Sequence, residues 1–181
     1  MEAYRLFEDA GLFYLTFTVI DWLPVFVNEK SCMIIAESLN FCHREKHLRI
    51  NSFVIMPTHM HLIVFDAEFN TVRLQDTLVA MRKYTGQRLS DLCDKTMPRA
   101  FAETLRSSIR TDRSRQFWQQ SRHPEVISTQ GFWHTKQDYL HDNPKRKGLV
   151  LDPTAWRFSS AAYWLLDTPG YSDVILTAIE W

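Results

Sequence analysis

The stretch from Ile50 to Phe65, INSFVIMPTHMHLIVF, constrains this chain more than any other. It is apolar and β-branched on both sides of Pro57, a composition that suits pleated backbone, and proline cannot donate to a central ladder. The stretch therefore predicts two strands hinged at Met56 and Pro57. Side chains at i and i+2 of a strand share a face, so His59 and His61 project together while Met60 and Leu62 point the other way. Two imidazoles on one face make half a metal site. Ionisable groups set among so many apolar neighbours need a hydrogen bond or a metal as partner.

Leu12 to Ile20, LFYLTFTVI, predicts another strand, with Phe13, Leu15, Phe17 and Val19 on one face and Tyr14, Thr16 and Thr18 on the other. Asn28 is a fitting N-cap for a helix in which Met33, Ile34, Leu39 and the Cys42 region recur at helical spacing, ending in the polar run His43 to His47. Asn70 or Thr71 caps a second long helix to about Cys93, with Leu74, Leu78, Met81, Leu89 and Leu92 inward. A shorter helix spans about 99–110, and Phe117 to Trp118 and Val126 to Ser128 are short strand candidates. Thr135 to Asn143 is helical until Pro144 stops it. A coil tail from about 151 carries a last helical piece over 159–166. The order strand, helix, strand, strand, helix predicts a single α+β domain over 1–181, one antiparallel sheet backed by helices, rather than a parallel βαβ array.

With 45% apolar residues and only five glycines and seven prolines, the chain is neither disordered nor low in complexity. No apolar run approaches the ~18 residues of a membrane helix, so no membrane partner is expected. Cys32, Cys42 and Cys93 form no Cys-x-x-Cys pair, and a reducing cytoplasm is the expected location. Net charge is zero, yet residues 82–123 carry ten basic side chains against four acidic ones, a net +6, while the flanking segments are acidic. Such a block suits a polyanion.

Tyr139 has Thr135, Lys136, Asp142 and Asn143 at i−4, i−3, i+3 and i+4, so a helix here gathers a nucleophile, a cation and an oxygen ligand on one side. His43 and His47 stand at i and i+4, but the glutamate that zinc proteases place after the first histidine is missing, and a solvated helix end accounts for them. Tyr84 reads as a packing residue of the second helix. His134 and His141 lie off the face of Tyr139 and read as polar surface.

Met56-Pro57-Thr58-His59-Met60-His61-Leu62-Ile63-Val64 resembles the M-P-x-H-U-H signature, U being a large apolar residue, of the single-tyrosine transposases of the HUH superfamily. Tyr139 through Asn143, Pro144, Lys145 and Gly148 to Val150 is similar to the Tyr-x-x-x-Asn-Pro-basic-x-x-Gly segment of their REP-associated tyrosine transposase branch. Trp156-Arg157-Phe158-Ser159-Ser160 resembles that branch's Trp-x-Trp/Phe-Ser-Ser. The three segments run in family order over residues 12–163.

The resemblance implies a ferredoxin-like sheet, a divalent ion, Mg²⁺ or Mn²⁺, held by His59 and His61, and attack by Tyr139 on a phosphate of single-stranded or hairpin DNA. A 5′-phosphotyrosine and a free 3′-hydroxyl result. Asn143, one helical turn after Tyr139, is the expected third ligand, because hard ions favour oxygen donors. Phosphate contacts are expected from Arg82, Lys83, Arg88, Arg106, Arg110, Arg113, Arg115 and Arg122, extended by Lys145, Arg146 and Lys147. Phe117, Trp118 and Trp133 are the stacking candidates. The branch implies a monomer, with a dimer as the alternative. A second reading, motivated by the zero net charge and the acid at position 142, is a module that binds DNA hairpins without cutting them.

Overall fold

Strands form where β-branched and aromatic residues concentrate: β1 (Leu12–Thr18), β2 (Leu48–Met56) and β3 (His59–Asp66). The two-residue β4 (Glu125–Val126) completes an antiparallel sheet of order β2-β3-β1-β4 in this computed structural model, which describes residues 11–107, 116–120, 124–167 and 169–181. Helix α1 (Glu29–Glu45) joins β1 to β2, and α2 (Thr71–Thr96) and α3 (Arg99–Ser107) lie between β3 and β4. Asn28 and Asn70 cap the first two helices, accepting from the Ser31 and Arg73 N–H groups. This is the α+β arrangement expected from the element order, with the ferredoxin-like sheet that the resemblance implies.

The two-residue period of β1 and β3 divides the interior into two cores. Phe13, Leu15 and Phe17 of β1 with Met60 and Leu62 of β3 pack against Ile35, Leu39, Leu74 and Leu78 of α1 and α2. Burying each such side chain contributes roughly 1.5–3 kcal/mol. On the opposite face Leu12, Tyr14, Val54, Met56, Ile63 and Phe65 meet Leu140 of α4 (Gln130–Arg146). Gln137, Leu140, His141 and Pro144 are its buried stripe, spaced i, i+3, i+4 and i+7.

A bulge at Asn51, between Ile50 and Ser52 in the β2–β3 register, fastens α4 to the sheet. Trp133 Nε1 donates to Asn51 Oδ1 at 2.9 Å, and Gln137 Nε2 donates to Ser52 Oγ at 3.0 Å. The outer edge of β2 is covered by the tail, where Ile55 N–H donates to Phe158 O at 2.8 Å and Ser160 N–H donates to Phe53 O at 2.9 Å. The Trp156-to-Ser160 segment thereby satisfies an edge that would otherwise be open to pairing. It leads into the short helix α5 (Ala161–Leu165).

Several sequence expectations need correction. Helix α4 begins at Gln130, not Thr135, and continues past Pro144 to Arg146, because burial of the 140/144 face outweighs the local bias before proline. Its end is closed by Lys147 N–H donating to Asn143 O and Leu149 N–H to Pro144 O. Phe117 and Trp118 form only a single bridge, Trp118 to Val19, and are buried in the first core instead of a strand. The last strand is Glu125–Val126 and stops short of Ser128. On α2 Cys93, rather than Leu92, continues the buried stripe. The expected extension of α3 to residue 110 lies outside the described residues. All three cysteines are free and buried.

Candidate active site

Pro57 and Thr58 make the two-residue link between β2 and β3, so His59 opens β3 directly after the turn. Across the ladder Thr18 pairs with His59, Thr16 with His61 and Tyr14 with Ile63. These β1 and β3 residues share the face that α4 covers. The result is a recess of about 440 Å³ lined by Tyr14, Thr16, His59, His61, Tyr139 and Asn143, with Trp22, Lys136 and Lys147 at its margin.

The two imidazole centroids are 4.8 Å apart, and His61 is only 6% exposed. Thr16 Oγ1 stands 2.8 Å from His61 Nδ1 and Thr58 Oγ1 stands 2.9 Å from His59 Nδ1. Donation of each Nδ1–H to its threonine leaves both Nε2 lone pairs free. Burial, with smaller contributions from His59 and Lys136, pushes His61 down to about 3. Burial and the Lys147 charge push His59 down to about 4. Both rings are therefore neutral at physiological pH, the state a metal ligand requires. Among the described residues no third His, Cys, Asp or Glu joins them. The buried Asn143, whose side chain carries an amide oxygen, lines the same recess. Two imidazoles held by threonines beside an amide fit a divalent ion that accepts mixed nitrogen and oxygen ligands.

Tyr139 projects from α4 and remains 42% exposed. Its ring meets His61 edge-on at 5.8 Å and Tyr14 at 6.5 Å, and the Arg146 guanidinium lies 4.9 Å from its centroid. Lys136 pairs with Glu125 at 2.6 Å and sits 4.7 Å above the Tyr14 ring. At about 100° per residue, Lys136 and Asn143 fall on one flank of Tyr139 and Thr135 and Asp142 on the other. Lys136 and Asn143 line the recess; Thr135 instead bonds Gly131 O along the helix.

Sequence reasoning did not single out Tyr14, Thr16 or Trp22. Tyr14 is 4% exposed and among the described residues its hydroxyl makes no well-aligned hydrogen bond; burial, then Tyr139 and Glu125, raise its pKa, and the nearby Thr16 hydroxyl offsets them only in part. Alternation in LFYLTFT places Tyr14 and Thr16 on one face, but the register that brings them to the histidines depends on residues some 45 positions away.

Other expected residues take different places. Lys147 reaches the recess and Arg146 covers Tyr139, while Lys145 is exposed. Arg82 lies over the Phe17 ring and donates to Gln119 O at 2.7 Å. Lys83 is exposed, Arg88 lines a groove between α1 and α2, and Arg106 pairs with Asp94 at 3.1 Å. Arg110, Arg113, Arg115 and Arg122 lie outside the described residues. His141 is not polar surface: it is 1% exposed, with Nε2 2.7 Å from Ser160 Oγ, because the flank of α4 beside it packs on β2. Tyr84 is not a packing residue, since its position on α2 is exposed. Phe117 and Trp118 are core and offer no stacking face, and Trp133 is partly buried with its indole N–H committed to Asn51.

No protein-family profile matches the chain, and no curated protein sequence matches it significantly. A solved structure of a REP-associated tyrosine transposase bound to a REP hairpin superposes with a TM-score of 0.60 at 17% identity, over 98% of this chain and 96% of the other. At that identity the likeness is one of fold, and over nearly its whole length this chain has the fold of a REP-associated tyrosine transposase.

Proposed function

We propose that the chain is a metal-dependent single-stranded DNA endonuclease and strand transferase that cuts near hairpins through a 5′-phosphotyrosine on Tyr139. The observation that carries this reading is the convergence of an accessible tyrosine with two neutral, threonine-held histidines in one recess. The hairpin held by the structural neighbour supports a DNA substrate of that kind.

A phenol of pKa about 10 is a weak nucleophile unless charge developing on the phosphate is stabilised. A Mg²⁺ or Mn²⁺ ion at Nε2 of His59 and His61 and the amide oxygen of Asn143 would supply that stabilisation as a Lewis acid. The chain's own residues do the rest. Helix α4 presents Tyr139 at the recess, and Arg146 puts positive charge beside its ring. Lys147, with the basic residues Lys83 and Lys145, gathers the phosphate backbone. The Tyr139 Oη–P bond forms as the P–O3′ bond breaks, the phenolic proton passes to solvent and the 3′-oxygen takes a proton from solvent to leave as a hydroxyl. The phosphotyrosine conserves the bond energy for rejoining by a 3′-hydroxyl.

Incubation with hairpin-flanked single-stranded oligonucleotides and Mn²⁺ should give a covalent protein–DNA adduct on denaturing gels that Tyr139→Phe does not form. Binding without an adduct across varied hairpins would instead identify a module that recognises DNA without cutting it.

A further inference from the structure

The turn after β1 contains two consecutive non-glycine residues in the left-handed region, Asp21 at φ 50° and Trp22 at φ 56°. Asparagine and aspartate tolerate this region, but a side chain as large as tryptophan does so at a cost, and such outliers persist where surrounding structure imposes them. Packing does not explain Trp22, which is 54% exposed and belongs to neither core. The backbone imposes it. Val19 N–H donates to Thr58 O at 3.0 Å, Phe26 N–H to Pro57 O at 3.0 Å and Ile20 N–H to Phe117 O at 2.8 Å. The turn is thus bolted on both sides to the link that carries His59.

The Trp22 ring lies 5.7 Å from the His59 ring at an interplanar angle of 77°, at the mouth of the recess. Among the described residues no other ring contacts it. An exposed indole stands beside a candidate metal ligand on a hydrogen-bonded turn, at the cost of backbone strain. Resting on the function proposed above, we infer that Trp22 is a stacking platform for an unpaired base next to the scissile phosphate. Such stacking is tolerant of base identity, because every base has a π-face, and it would set where the backbone crosses the histidines.

The test uses the full chain carrying Tyr139→Phe, so that binding is read without cutting, and fluorescent hairpins with or without a single-stranded overhang. Trp22→Ala should weaken overhang binding by about 5- to 150-fold, the range to which about 1–3 kcal/mol per stacked base converts. It should leave the blunt hairpin unaffected, and Trp22→Phe should keep most of the affinity. One abasic position in the overhang should cause the same loss with Trp22 present and no added loss in Trp22→Ala. Should the alanine variant fail to fold, Trp22→Leu keeps an apolar side chain without the π-face and serves in its place. Equal losses on both oligonucleotides, unchanged overhang binding, or additive losses at every abasic position would overturn the inference while leaving the tyrosine chemistry standing. Failure of the parent protein to bind any hairpin would remove both.

Discussion

Thr16 Oγ1 stands 2.8 Å from Nδ1 of His61, directly across the β1–β3 ladder. The contact satisfies a buried ring nitrogen and decides which nitrogen faces the recess. Removing the residue that holds a ligand histidine's other nitrogen typically costs about 10–100-fold in metal affinity. Thr16→Val keeps the β-branched shape and deletes only the oxygen, so Mn²⁺ affinity should fall within that range when titrated by electron paramagnetic resonance. Unchanged affinity would mean that packing alone orients His61.

Tyr14 buries a hydroxyl that makes no well-aligned hydrogen bond among the described residues, with only the Thr16 hydroxyl nearby, and desolvation so weakly compensated is unfavourable. Tyr14→Phe removes that atom while keeping the ring against His61 at 5.3 Å and under Lys136. The variant should be more stable than the parent by about 1 kcal/mol in urea unfolding. A loss of stability would show that the hydroxyl has a partner in solution.

The local features of this fold could be read from neighbouring residues. Asn28 and Asn70 cap the helices expected of them, and the i, i+2 spacing of His59 and His61 puts both on one face, since caps and alternation depend on residues a few positions apart. Relations across the ladder could not. Nothing near His61 in sequence announces Thr16, and nothing around Trp22 announces a left-handed backbone imposed by Pro57 and Thr58. His141 departs from its expected surface position for a related reason: lying off the face of Tyr139 says nothing about what the other flank touches, which here is Ser160 of the tail. Pro144 misled through a local rule that tertiary burial of Leu140 and Pro144 outweighs.

His141 predicts a pH dependence of stability. Ser160 Oγ lies 2.9 Å from Phe53 N, 3.2 Å from Phe53 O and 2.7 Å from His141 Nε2, and among the described residues the buried Nδ1 has no partner that would stabilise a charged ring. Burial pushes its pKa down to about 4. The unfolded chain takes up this proton near pH 6.5 and the folded chain only near pH 4. Stability should therefore be level above about pH 7 and fall across that interval, this one group removing about 2 kcal/mol at pH 5. Urea unfolding in EDTA at pH 7.5, 6 and 5 reads the slope, which His141→Gln should lessen by that amount. An identical slope in the variant would assign the dependence to other groups, such as His61.

Helix α4 is held to its own sheet through Trp133 with Asn51 and Gln137 with Ser52, so one chain assembles histidines and tyrosine together. A chain carrying His61→Ala mixed with one carrying Tyr139→Phe should then form no adduct, in any ratio and after co-refolding. Recovery of adduct in the mixture would demonstrate that subunits exchange α4 and that the active form is a dimer.

Asn143 has two roles to separate, because its backbone carbonyl accepts from Lys147 N–H at the end of α4 while its side chain lines the recess with His59 and His61. Asn143→Ala keeps the carbonyl and removes the amide. If the residue only closed the helix, adduct formation and Mn²⁺ dependence would both survive the change. If the amide oxygen completes the ligand set, the alanine variant should need higher Mn²⁺ and lose on the order of 10–100-fold in adduct rate at limiting metal. Hairpin affinity measured without metal should stay near that of the parent. Asn143→Asp restores a hard oxygen donor at the same reach and should recover most of the rate with Mn²⁺. Normal cutting by Asn143→Ala at limiting Mn²⁺ would move the third ligand to another residue.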